Sequence, residues 1–216
     1  MVKYYNFSDN RDLAVNNFWC IGRNYSDHAK EMGAKTEDEP IIFLKPSSAV
    51  VLNNSITLPE YSINVNFETE LIFVIGDDCM NVGETDANKF IAGVGLGLDL
   101  TLRDIQTKLK EKSLPWALSK SFYGSAPVSP IIPYSEFKQD SYKFQMELNG
   151  EIKQSGDSSS MIFSIDFLIS YLSKRFTLQK GDCIMTGTPA GVGKLNHNDR
   201  IKAKLENKLE WELEVL

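Results

Sequence analysis

The clearest pattern lies near the end of the chain, where Leu209, Trp211, Leu213 and Val215 alternate with Glu210, Glu212 and Glu214. Period two with one apolar side is the mark of a half-buried strand. Comparable short stretches predict strands over 18–21, 41–44, 65–75, 91–100, 142–148, 183–186 and 200–205. Asn149-Gly150 separates two alternating segments, and a tight hairpin turn needs positive φ at both of its central positions. Helical spacing is rarer. It predicts short helices over 26–32, closed by Gly33, over 103–112, ended before Pro115, and over 165–176, where Ile165, Phe167, Leu168, Tyr171 and Leu172 share a face. The expected class is α+β and mostly β, with a few short helices.

No repeat or Pro/Gly/Ser-rich linker divides the 216 residues, so one domain over 1–216 is expected. The 23 Lys and Arg against 29 Asp and Glu leave a net charge of −6 with no basic block, which argues against nucleic-acid or membrane-surface partners and for small molecules. Apolar runs such as 71–75 are far shorter than the roughly 20 residues of a spanning helix, so no membrane segment is expected. The first residues show no charged start leading into an apolar stretch, and the cytoplasm is the expected compartment. Cys20, Cys79 and Cys183 are odd in number and far apart, which suits small buried thiols.

Candidate chemistry centres on residues 64–75. In an unbroken strand, Glu68 and Glu70 share a face about 7 Å apart, opposite Val65, Phe67, Leu71, Phe73 and Ile75. Away from water such a pair needs a counter-charge, and a hard divalent cation with oxygen ligands supplies one; on an open face water does the same. Asp99, after the glycine-punctuated stretch 93–97, offers a third carboxylate. His28 and Glu31 lie three apart on a short helix, which suits a base with its orienting carboxylate or a plain surface contact. Residues 186–193 form a glycine-rich loop whose N–H groups could build an anion nest or simply a turn. It is no P-loop, because Thr188 and Leu195 stand where a glycine and a hydroxyl residue are required. Lys45 and Lys120 sit among apolar or small residues and either snorkel to water or face an anionic substrate.

In order and spacing these segments resemble the fumarylacetoacetate hydrolase family. The stretches that carry the likeness are Cys20 to Tyr25 with His28 and Glu31, Pro40 to Val50, Phe67 to Leu71, Asp99 to Asp104, and Thr186 to Gly193. The resemblance implies a β-roll of mixed sheets like the family's C-terminal domain, a homodimer, and Mg2+ or Mn2+ held by Glu68, Glu70 and Asp99. It also implies catalytic roles for His28, Glu31 and Lys120, and substrate contacts from Arg23, Lys45, Gln106 and Thr188. Among relatives the chain looks most like the short acylpyruvate hydrolases. That likeness implies metal-dependent carbon–carbon cleavage of small 2,4-diketo acids, such as acetylpyruvate or fumarylpyruvate, to pyruvate and a carboxylic acid. Oxaloacetate decarboxylation, or tautomerising or isomerising an unsaturated 2-oxo diacid, would use the same metal–enolate site; a non-catalytic small-acid binding protein is the alternative outside enzymology. Asn66, Leu102 and Tyr123 depart from the family's pattern and are expected to bear on substrate preference. The charged segment 27–39 is expected to order over the site with ligand.

Overall fold

The computed structural model describes residues 2–31 and 38–216, apart from the side chains of residues 28–30. Gly33, with the rest of 32–37 in the charged segment 27–39, therefore lies outside the described residues. The largest sheet has six strands, in the order Ile132–Pro133 (β10), Ile91–Leu98 (β7), Thr69–Ile75 (β6), Cys183–Met185 (β13), Phe18–Gly22 (β1) and Ile41–Lys45 (β2). Its neighbours are antiparallel except β13 and β1. A five-stranded sheet runs Glu151–Asp157 (β12), Lys143–Leu148 (β11), Arg200–Leu205 (β15), Leu209–Val215 (β16) and Ser55–Ile56 (β4). Two small sheets join Gly193–Lys194 (β14), Val65–Phe67 (β5) and Thr101–Leu102 (β8), and Val50–Val51 (β3) with Ala126–Pro127 (β9). The α-helices are Ser26–Glu31 (α1), Glu84–Ala87 (α2), Arg103–Glu111 (α3), Ala117–Lys120 (α4) and Ile165–Ser173 (α5). The architecture is mostly β, as the alternation predicts, with the mixed sheets that the resemblance implies.

Burial explains the run Leu71-Ile72-Phe73-Val74-Ile75, because this part of β6 is covered on both faces and takes apolar side chains at successive positions. Leu71, Phe73 and Ile75 join a core with Leu168, Ile169 and Leu172 of α5 and Phe144, Ile201 and Trp211 of the five-stranded sheet. Ile72 and Val74 join a second core with Tyr5, Phe7, Leu13 and Ile131. On β16 the predicted alternation holds, with Trp211, Leu213 and Val215 buried and the three glutamates exposed. Asn149 and Gly150 both take positive φ, 54° and 84°, in the β11–β12 turn. All three cysteines are free and buried, and burial pushes the Cys20 and Cys183 thiols well up and that of Cys79 to about 11.

Two differences from the predicted strands matter for chemistry. The stretch 65–75 is not one strand: it breaks at Glu68, where β5 leaves to pair with β8 and β14 while β6 continues in the large sheet. Likewise β7 stops at Leu98, so Asp99 stands off the ladder. Because β1, β13 and β7 run one way and β6 the other, the ends of the first three and the start of β6 lie together at one end of the strands.

The glycines of β7 let the segment around Ile131 cross it closely. A Cβ on Gly93 would lie 2.4 Å from Ile131 Cγ2, 2.7 Å from Phe7 Cε1 and 2.8 Å from the Ile132 carbonyl oxygen. Backbone among those neighbours cannot give way cheaply. Gly93→Ala is therefore expected to lower stability by about 1–3 kcal/mol, the usual cost of overpacking. Urea unfolding measures it, and an unchanged midpoint would refute the close crossing.

Candidate metal centre and active site

The strand break at Glu68 and the early end of β7 bring three carboxylates together. Oxygens of Glu68, Glu70 and Asp99 lie within 4.8 Å of one another, and the three residues are only 6%, 2% and 1% exposed. The Asp99 amide donates to the Glu68 carbonyl at 2.8 Å, which closes the kink. The Gly187 amide donates to Glu70 Oε2 at 2.8 Å. Gly187 reaches it with φ of 93°, and a Cβ there would meet Asn24 Cβ at 2.8 Å.

Buried cations surround the carboxylates. Lys120 Nζ lies 2.8 Å from Glu68 Oε2 and also bonds Asp99 Oδ2. Fully buried Lys45 lies 2.8 Å from Asp99 Oδ1, and its ammonium donates to the Leu100 carbonyl at 3.2 Å and to the Lys120 carbonyl. Arg103 Nη2 lies 2.5 Å from Glu68 Oε1. Burial, then the charge of Asp99, pushes the Glu70 carboxyl well up, against the pull of the Gly187 N–H. Burial works against the Lys120 ammonium, yet Asp99 and Glu68 outweigh it and raise that group above the ordinary lysine range.

The donor set fits a divalent ion. Three carboxylates at this spacing, out of water, give a set of hard oxygen ligands, which suits Mg2+ or Mn2+. They border a cavity of about 40 Å³. Arg23, Gln106 and Thr188 line it, together with Phe43 and Trp116. Among the described residues, a wider cleft beside Tyr25 and Lys204 has no such carboxylate cluster.

Other predicted residues fall differently. Lys45 does not line the cavity: it stands behind Asp99 and holds that carboxylate, which corrects its reading as a substrate contact. Thr188 lines the cavity, but its hydroxyl donates to the Thr69 carbonyl at 2.9 Å and accepts from Gln154 Nε2 at 2.7 Å. The nest of 186–193 serves the protein's own anions, Gly187 to Glu70 and Gly191 N to the Glu31 carboxylate at 3.2 Å. The side chain of His28 lies outside what is described, while its backbone belongs to α1. Asn66, Leu102 and Tyr123 stand off the cavity lining, Leu102 in the core and Tyr123 on the surface.

Three contributors lie outside the sequence-derived candidates. Arg103 and Lys110 line the cavity, and Gln154 braces Thr188. The spacing of Arg103, Gln106 and Lys110, which puts them on one face of α3, was the signal available. Asn24 clamps the end of β1, its Nδ2 donating to the carbonyls of Thr186 at 2.8 Å and Phe163 at 3.0 Å.

Residues 17–215 match the family model described as fumarylacetoacetate (FAA) hydrolase C-terminal. The chain is 45% identical to oxaloacetate tautomerase FAHD1, mitochondrial, of Bos taurus, over 92% of this chain and 91% of that one. It is 42% identical to oxaloacetate tautomerase YcgM of Escherichia coli, over 88% of each. Among solved structures it is similar to fumarylpyruvate hydrolase from Pseudomonas aeruginosa in complex with Mn2+ and pyruvate, with a TM-score of 0.95 and 32% identity over 100% of this chain and 96% of that one. No helix among the described residues is long and apolar enough to cross a membrane.

A ligating Glu70 must shed its proton, so metal competes with protons there. Added Mg2+ or Mn2+ is expected to raise the melting temperature, by an increment that grows as pH climbs above the ordinary carboxylate range. Asp99→Asn should remove most of the increment. A cation effect that ignores both pH and Asp99→Asn would place the ion elsewhere.

Proposed function

The chain belongs to the fumarylacetoacetate hydrolase family, and from that premise we propose that it is a divalent-cation enzyme interconverting the keto and enol forms of oxaloacetate or a closely similar 2-oxo diacid. The observation that carries the reading is Lys120, an ammonium bridging Glu68 and Asp99 at the edge of the cavity. Names borne by relatives above 40% identity over most of their length support the substrate.

Keto–enol exchange moves one proton: a base takes it from C3, the C–H electron pair forms the C2=C3 bond, the C2=O π pair moves onto oxygen as an enolate, and a proton then adds to that oxygen. Glu68, Glu70 and Asp99 would hold the cation, which would supply Lewis acidity to the bound 2-oxo acid. The rest falls to side chains. Lys120 stays charged, because two carboxylates raise its pKa, and so it stabilises the negative charge that develops on the oxygen. Arg103 and Lys45 hold Glu68 and Asp99 in place for the ion. Proton abstraction at C3 is assigned to His28, oriented by Glu31, on the strength of their spacing.

A second reading, cleavage of acylpyruvates, is supported by the likeness to fumarylpyruvate hydrolase. It needs the same enolate plus an attacking water. An enol-absorbance assay with Mg2+ or Mn2+ decides between them. The expected result is acceleration of oxaloacetate tautomerisation over buffer, abolished by EDTA, with weak or no cleavage of acetylpyruvate and fumarylpyruvate. Robust acylpyruvate cleavage without tautomerisation would instead establish the second reading.

Lys120→Met in metal-loaded protein is expected to lower kcat by about 10²-fold or more, the usual cost of removing one preorganised charge stabiliser. His28→Ala should lower it about 10²- to 10⁴-fold at unchanged metal affinity, as for loss of a positioned base. Wild-type rates in either variant would remove that residue from the mechanism.

A further inference from the structure

The face of α3 turned to the cavity carries Arg103, Gln106 and Lys110, one, two and three steps outward from the carboxylates. Arg103 is committed to Glu68 and donates through Nη1 to Gln106 Oε1 at 2.7 Å. Lys110 lies about 10 Å further along the helix axis, at 1.5 Å per residue. No carboxylate pairs with it among the described residues. Its ammonium stands 5.4 Å from the centre of the Trp116 ring, and Trp116 meets Phe43 edge-on with ring centres 6.0 Å apart. That aromatic wall lines the same cavity.

The cavity, about 40 Å³, is small beside ordinary ligand pockets of about 300–1,000 Å³. It takes the chelating end of an acid, and whatever lies beyond C2 must project to the mouth, where Lys110 stands. Burial, then the positive charges of Arg103, Arg23 and Lys120, bears down on the Lys110 ammonium, so this mouth is a place that gains from an anion.

We infer that Lys110 is a specificity-determining residue, whose ammonium, steadied over Trp116, pairs with the distal carboxylate of a short dicarboxylic 2-oxo acid and so selects diacids over monoacids. The inference rests on the reading that a 2-oxo acid places its chelating end at Glu68, Glu70 and Asp99.

The test uses oxaloacetate and its 4-methyl ester, which keeps the 1-carboxylate and 2-oxo group but has no distal charge. In Lys110→Met the ratio of kcat/KM for diacid over ester is expected to fall about five- to tenfold, through KM rather than kcat, and Lys110→Arg should restore most of it. Calorimetric binding of both ligands to Mg2+-loaded protein should show the same change in affinity ratio. An unchanged ratio, or equal loss on both ligands, overturns the role of Lys110. If the wild type turns over neither ligand but binds the diacid more tightly in a Lys110-dependent way, the reaction fails and the selectivity stands. If the wild type binds the diacid no better than the ester, the selectivity falls whatever the activity.

Discussion

Three carboxylates crowded out of water repel one another, and the rest of the site is arranged to contain that repulsion. At an effective dielectric constant of about 20, each pair within 4.8 Å costs about 3 kcal/mol or more. The relief comes from far apart in sequence: Lys45 from the end of β2, Arg103 from the start of α3, and Lys120 from the end of α4. Each ion pair therefore ties together elements that hydrophobic burial alone leaves loosely related. Removing one partner of such a buried set leaves an uncompensated charge, which is why these contacts act as cross-links as well as chemistry.

The same economy governs the backbone around the site. The positive φ of Arg23 (59°) and of Gly187 (93°) falls at the strand ends that meet the carboxylates. Residues held in this region are kept there by their surroundings, and here Asn24, between β1 and the loop after β13, does the holding. The result is a set of donors and acceptors already aimed before any ligand arrives. Such preorganisation lowers the reorganisation that the reaction itself must make.

Alternation made the outer strands legible, β16 above all, because one face meets water and the other the core. The central strand was readable as a strand but not as a broken one, since the break at Glu68 comes from pairing with β8 and β14, remote in sequence. Short strands such as β3, β9 and β14 are too brief to carry a period. At the site, carboxylate types and spacing were enough to nominate Glu68, Glu70 and Asp99. The place of Lys45 was not, because a lysine among apolar residues looks the same whether it reaches water or a buried aspartate. Lys110 is hidden for the opposite reason: on a helix rich in charged residues, nothing local distinguishes it from its neighbours.

The large sheet has two edges, and both carry proline. At one, β10 is two residues long and ends in Pro133, which has no N–H to offer. At the other, β2 is the last strand among the described residues, and Pro40 and Pro46 bracket its five residues. An edge strand is a template on which a stray chain can add and an aggregate can grow. Here any such addition would run out of backbone partners after a few residues, so a sheet that must stay apolar on both faces is still a poor seed for fibres.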